Sequence, residues 1–261
     1  MNEKIAILPH SHPLVRPRNL LAVASGKGGV GKTWFSISLS QALSQLGNKV
    51  LLFDGDLGLA NVDVQLGLLP TRDITAAVEG KSSLRNLATH YPAGGFDVVA
   101  GRSGVGNLAT LPPEKLAMMQ RELAELSTHY GYVLMDMAAG VDRTVRMLAS
   151  TAGTSLVITN EEPTSLTDAY AFIKLSHGAG QAAGIQVVIN AASSKAEGMK
   201  TYQTLLKACQ SFLKISPPLA GIIRRDSKVR DCIKAQTPLL TRSPQADAAQ
   251  DVMAIARKLL I

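Results

Sequence analysis

The residues best suited to chemistry form one short run, Gly26-Lys27-Gly28-Gly29-Val30-Gly31-Lys32-Thr33. Its spacing is G-x-x-x-x-G-K-[ST], the pattern of a phosphate-binding loop. Glycines leave backbone N–H groups free to close around phosphate oxygens. A helix beginning near Lys32 adds the positive end of its dipole. Lys32 is expected on the β- and γ-phosphates of ATP, and the Thr33 hydroxyl on Mg²⁺. The next residue, Trp34, belongs with these eight in the expected ATP/ADP site. An apolar run over residues 20–25 leads into the loop, and an amphipathic stretch over 33–46 leads out. That strand–loop–helix setting is what the motif requires, and a chance Gly-rich turn lacks it.

Carboxylates stand at the ends of two other apolar runs. Phe53-Asp54-Gly55-Asp56 closes the run over 50–54. Open α/β sheets bind ligands at strand C-termini, so this pair is well placed to act near Mg²⁺ or an attacking water. A capped turn explains Asp and Gly equally well in isolation. The phosphate loop makes the functional reading the stronger one. Tyr132-Val133-Leu134-Met135-Asp136 is an apolar run ending in Asp, and Asp136 is expected to hold a Mg²⁺-bound water.

These groups need a frame. Apolar runs at 20–25, 50–54, 96–100, 132–136, 155–159, 186–190 and 219–223 predict strands, apolar on both sides. Stretches at 33–46, 113–129, 143–151, 165–177, 198–212 and 228–236 predict helices between them. In the first helix Phe35, Leu39, Ala42, Leu43 and Leu46 form a stripe, and Gly47 supplies the stop. The alternation predicts a doubly wound α/β fold, a mostly parallel sheet with helices on both faces. With 261 residues, 46% of them hydrophobic, and no linker-like interruption, residues 19–261 are expected to form one domain. Residues 1–18, with Pro9, Pro13 and Pro17, are expected to be a loose arm.

Composition excludes several classes. Aromatics at 4% leave little for stacking single-stranded nucleic acid. Cys209 and Cys232 have no metal or CxxC spacing and read as free thiols in a reducing compartment. The N-terminus has no secretory h-region, and no apolar stretch approaches the ~20 residues of a membrane span. The expected location is cytoplasmic. Histidines 10, 12, 90, 129 and 177 are scattered and suggest no metal cluster. Residues 190–242 hold ten Lys or Arg against three Asp or Glu, equal to the whole net charge of +7. Such a segment suits nucleic acid, anionic lipid or an acidic partner, and a solvated basic face explains it as well. In the last segment Ala249, Val252, Met253, Ala256, Leu259 and Leu260 share one helical face. Arg257 and Lys258 are offset by Asp247 and Asp251, which favours docking on the core over a membrane-binding helix.

Lys27, a second cation inside the phosphate loop, resembles the signature lysine of the deviant Walker A family, the MinD/ParA ATPases. The resemblance implies that Lys27 crosses a dimer interface to the phosphates of the other subunit, much as an arginine finger does. It implies that Asp56 orients the hydrolytic water and that Asp54 supports Mg²⁺. It also places Asn190 at the adenine edge and Arg224 in the other base-side loop. Asn160-Glu161-Glu162-Pro163-Thr164-Ser165-Leu166-Thr167-Asp168-Ala169-Tyr170 is similar to the FlhG/FleN flagellar-number regulators, as are residues 56–63 and Leu240-Thr241-Arg242-Ser243-Pro244. The likeness spans about residues 19–260. Two departures stand out: Ala138 replaces a Pro common in MinD and ParA, and residues 1–18 contain no DQAxxLR-type segment of the kind that activates the FlhF GTPase.

The resemblance implies a slow ATPase that forms an ATP-dependent homodimer and controls flagellum number or placement. Its expected partner is an FlhF-like GTPase or a transcriptional activator. A peripheral membrane contact stays open, and little affinity for nucleic acid is expected. The alternatives are a ParA-like DNA-partition ATPase and a nucleotide-bound scaffold or transcription-factor antagonist with negligible turnover.

Overall fold

The structure, a computed structural model, describes residues 16–56, 58–70, 74–101, 111–180 and 184–260. Most of the expected arm, with His10 and His12, lies outside the described residues, as does Leu57. In chain order the first half reads β1 (Leu20–Ala24), α1 (Lys32–Gln45), β2 (Val50–Gly55), α2 (Val62–Leu66), α3 (Thr75–Val78), α4 (Leu84–Leu87), β3 (Thr89–Tyr91), β4 (Phe96–Val99) and α5 (Pro113–Leu126). The second half reads β5 (Tyr132–Met137), α6 (Arg143–Ala149), β6 (Thr154–Thr159), α7 (Pro163–Gly178), β7 (Ile185–Ala192), α8 (Lys195–Ala208), β8 (Leu219–Arg224), α9 (Ser227–Lys234), α10 (Leu239–Arg242) and α11 (Asp247–Leu259).

Among the described residues the strands form one sheet in the order β3-β4-β2-β5-β1-β6-β7-β8, and β3 alone pairs antiparallel. Successive strand residues face opposite sides. In β1, Leu20, Ala22 and Ala24 join one buried cluster while Leu21 and Val23 join the other. The doubly apolar runs in the sequence have this cause, since helices cover both faces. The chain leaves β1 toward β2 on one side, and β6, β7 and β8 lie on the other. A crevice therefore forms at the C-terminal ends of β1, β5 and β6, the topological switch point.

The α1 stripe behaves as expected, and Gly47 ends the helix at φ 87. The helix is buried well beyond that stripe, because the sheet lies on one side and α11 and α10 lie on the other. Its polar residues are spent internally. Gln41 donates to the Thr241 hydroxyl at 2.6 Å and accepts from Leu240 N at 3.1 Å. Helix α11 docks through Ala248, Ala249, Val252, Ile255, Ala256 and Leu259, so its apolar face is spent on the core. Met253 is only partly buried, and Leu260 is exposed.

The sequence reading is incomplete between residues 58 and 95. Elements α2, α3, α4 and β3 are three to five residues long, too short for either periodicity to register. Helix α8 continues as a π-helical turn at Cys209–Leu213, ended by Lys214 at φ 58. Among the described residues no helix is long and apolar enough to cross a membrane.

Candidate nucleotide site

Residues 25–31 form the turn between β1 and α1. The Ser25 hydroxyl donates to the Lys27 carbonyl at 2.7 Å and fixes the entry. Two glycines are required by geometry. Gly31 sits at φ 92 with the Asn190 amide against it, and the backbone of Asp168 in α7 leaves no room for a Cβ at Gly26. Gly31 caps α1 without a side-chain hydrogen bond, and the first turn contains no acidic residue. The leading N–H groups of α1 thus remain available to an anion.

Lys32, first residue of that helix, is buried at 9% exposure. Burial lowers its pKa, against the pull of Asp136 and Asp56. Strand register explains why the carboxylates converge: Asp136 of β5 is level with Val23 of β1 and with Asp54 of β2. Asp136 accepts from the Ser36 hydroxyl at 3.0 Å and from the Thr33 hydroxyl. Burial raises its pKa to about 6 even with Thr33, Lys32 and Ser36 acting the other way. Asp54 is raised to about 8 by burial and then by Asp136. The pocket holds more negative than positive charge, carried on carboxylate and hydroxyl oxygens, which is the donor chemistry of a hard cation.

Asp54 is engaged by backbone donors of the following segment. One of its oxygens accepts from Asp56 N at 3.1 Å, and the other accepts from Asn61 N and Val62 N at 3.2 Å each. It therefore shapes the turn over 56–62 and seats the first residue of α2. Asp56 lies at the start of that turn, where Oδ1 accepts from Leu59 N at 3.1 Å. Asp56 acts electrostatically on Lys32, Asp54 and Asp136, so it shares their space.

The fold has a consequence for pH. Asp54 is stabilised in its neutral form, so its contribution to stability is complete below the ordinary carboxylate range, near pH ~4. That contribution is lost as pH rises through about 8. Nucleotide-free wild type should lose stability relative to Asp54→Asn across this window. Urea unfolding at successive pH values checks it, and a constant difference between the two proteins contradicts it.

Lys27 leaves the loop on the α7 side. Its ammonium donates to Glu162 Oε2 at 2.8 Å and to Thr164 Oγ1 at 2.9 Å. Glu162 precedes Pro163, the first residue of α7, and its carboxyl is held below the usual range by the Lys27 bond. The ammonium is thus parked on its own subunit, half exposed.

Three expected positions make contacts within the chain. The Arg224 guanidinium is engaged by α11. Nε and Nη2 donate to the two oxygens of Asp251 at 2.9 and 3.1 Å, and Nη1 lies 2.7 Å from Asp247. It staples β8 to α11. Asn190 is buried and donates to the Val30 carbonyl at 2.8 Å, so its amide supports the phosphate loop directly. The Trp34 side chain is buried in the cluster between α1 and the α9–α11 layer, which leaves only its backbone N–H for a phosphate. Sequence reasoning missed Ser36 and Glu162 as site residues. Ser36 stands three residues after Thr33, hence on the same helical face, which was the available signal. Glu162 lay inside the quoted 160–170 segment with no local feature pairing it to Lys27.

The profile of the CobQ/CobB/MinD/ParA nucleotide binding domain matches residues 21–239. The chain belongs to that family. Within it the chain is an ATPase of the MinD/ParA type. It is 36% identical over 244 residues to the antiactivator FleN of Pseudomonas aeruginosa, covering 94% of this chain and 87% of that one. It is 29% identical to the flagellum site-determining protein YlxH of Helicobacter pylori, covering 90% and 80%. The septum site-determining protein MinD of Pyrococcus horikoshii, solved with Mg-ADP, superposes with a TM-score of 0.77 at 23% identity, covering 92% and 95%. At that identity the last likeness concerns the fold.

Proposed function

We infer that residues 19–261 act as one ATP-driven dimerisation switch that sets flagellum number or placement. The observation that carries this reading is Lys27, a second loop cation that the phosphates of its own subunit do not need. Lys32 and the N-terminus of α1 already face that position. Lys27 rests on Glu162 and Thr164, from which a partner subunit's γ-phosphate can draw it. ATP shifts an equilibrium only through contacts that differ between the two states, and a lysine that changes partner is such a contact.

The oxygen donors at Thr33 and Asp136 fit Mg²⁺, with Asp54 holding the turn beside them. Bound there, Mg²⁺ would neutralise phosphate charge. The remaining work falls to side chains. Lys32 neutralises the transferring phosphoryl group, and Asp56 orients the attacking water. Ser36 keeps Asp136 in place. The likeness to FleN and YlxH, whose names refer to antiactivation and to flagellar site determination, supports the biological output. A transcriptional activator fits the first likeness better than an FlhF-like GTPase.

The test is a count of flagella in the source cell carrying Lys27→Ala at the native locus. The proposal expects altered number or placement with normal protein levels. Wild-type flagellation with a stable Lys27→Ala protein would remove the proposal.

A further inference from the structure

A cleft of about 630 Å³ lies among Lys228, Asp231, Lys234, Ala235, Arg242 and Ser243, on α9 and at the end of α10. Three cations meet one carboxylate there. Lys228, Lys234 and Arg242 are exposed, and none of them forms an ion pair among the described residues. Two exposed apolar side chains lie on the neighbouring segment. Gln236, at φ 49 just past α9, donates to the Val64 carbonyl at 2.9 Å and packs against Gly67. These contacts bring α2 against the end of α9. Val64 is 58% exposed and Leu69, two residues past Gly67, is 95% exposed.

We propose that this face docks an acidic segment of a partner protein, with carboxylates in the cleft and an apolar side chain over Val64 and Leu69. Charge complementarity selects the sign of the partner. The pairing of clustered cations with two separate apolar side chains selects its class. Duplex DNA gains nothing from Val64 and Leu69. An extended or helical acidic peptide satisfies both halves, with the cations steering encounter and the apolar contacts slowing release. The surface is complete on one protomer, so the proposal stands apart from the dimer switch. Helix α2 begins at Val62, whose N–H is held by Asp54, so the docked segment and the nucleotide site share one short helix.

The test titrates full-length protein, without nucleotide, against four probes. They are a fluorescent Glu/Leu peptide, its Lys/Leu counterpart, duplex DNA and phosphatidylglycerol vesicles. The proteins are wild type, the triple variant Lys228→Glu/Lys234→Glu/Arg242→Glu, Leu69→Ser, and Lys200→Glu as a distant control. The proposal expects wild type to bind the Glu/Leu peptide selectively. The triple variant should bind it at least about tenfold more weakly, Leu69→Ser should weaken it to a smaller degree, and Lys200→Glu should leave it unchanged. An unchanged melting midpoint shift with Mg-ADP shows that the triple variant is folded. No peptide binding, peptide binding indifferent to the triple variant, or charge-dependent binding of DNA or vesicles in place of the peptide would each overturn it.

Discussion

Lys32→Ala is expected to abolish most of the stabilisation that Mg-ADP gives this chain. At a hundredfold excess over its dissociation constant, a ligand that binds only the folded state contributes about 2.7 kcal/mol. For a chain of this size ~2–4 °C accompanies each kcal/mol, so the wild-type melting midpoint should rise by roughly 5–10 °C. The geometry explains why one side chain controls the shift. Lys32 is the buried cation at the mouth of α1, facing Asp136 and Asp56. Without it, phosphate oxygens meet the Asp136 and Asp56 side chains with only the backbone N–H groups and Mg²⁺ in compensation. The relevant quantity is the shift on adding nucleotide, measured by scanning fluorimetry, because removal of a buried ammonium also changes the nucleotide-free protein. An equal shift in wild type and Lys32→Ala, or none in wild type, would overturn the placement of the site.

Asp56→Ala should separate binding from turnover. Among the described residues the Asp56 carboxylate accepts one hydrogen bond, from Leu59 N, while Asp54 holds the turn through three others. The loop should therefore keep its course in the variant, and the phosphate cradle at 26–33 is untouched. What is lost is the group that acts on the attacking water, an interaction made in the transition state. Removing such a group costs on the order of 10²-fold or more in turnover. Phosphate release at saturating ATP should fall by that factor while the thermal shift with ATP persists. Wild-type turnover in Asp56→Ala would move the role to another residue.

The parts of the fold legible in the sequence were those governed by periodicity and by backbone-demanding residues. Seven of the strands announced themselves as doubly apolar runs, and Gly47 marks a helix end where φ is positive. The phosphate loop was legible because its glycines, Lys32 and Thr33 are contiguous. Pairings across the chain were not. Lys27 with Glu162 spans 135 residues, and Arg224 with Asp251 spans 27. Nothing local in Arg224 distinguishes a base-side residue from a staple. Asn190 shows the same limit, since a strand-end amide can serve a ligand, a neighbouring carbonyl or both, and its contact with Val30 O is visible only in three dimensions. Trp34 follows Thr33 in the motif, yet the helix turns its side chain into the core.

The central claim is that Lys27 works on a second subunit, and sedimentation of Asp56→Ala with and without Lys27→Ala tests it most directly. Hydrolysis is blocked in both proteins, so bound ATP persists. Asp56→Ala should be monomeric in Mg-ADP and shift toward a dimer in Mg-ATP, as the γ-phosphate of each subunit draws Lys27 of the other from Glu162 and Thr164. Asp56→Ala/Lys27→Ala should still bind ATP through Lys32 and the cradle, and should sediment as a monomer with either nucleotide. An ATP-dependent dimer that forms equally well without Lys27 would contradict the account.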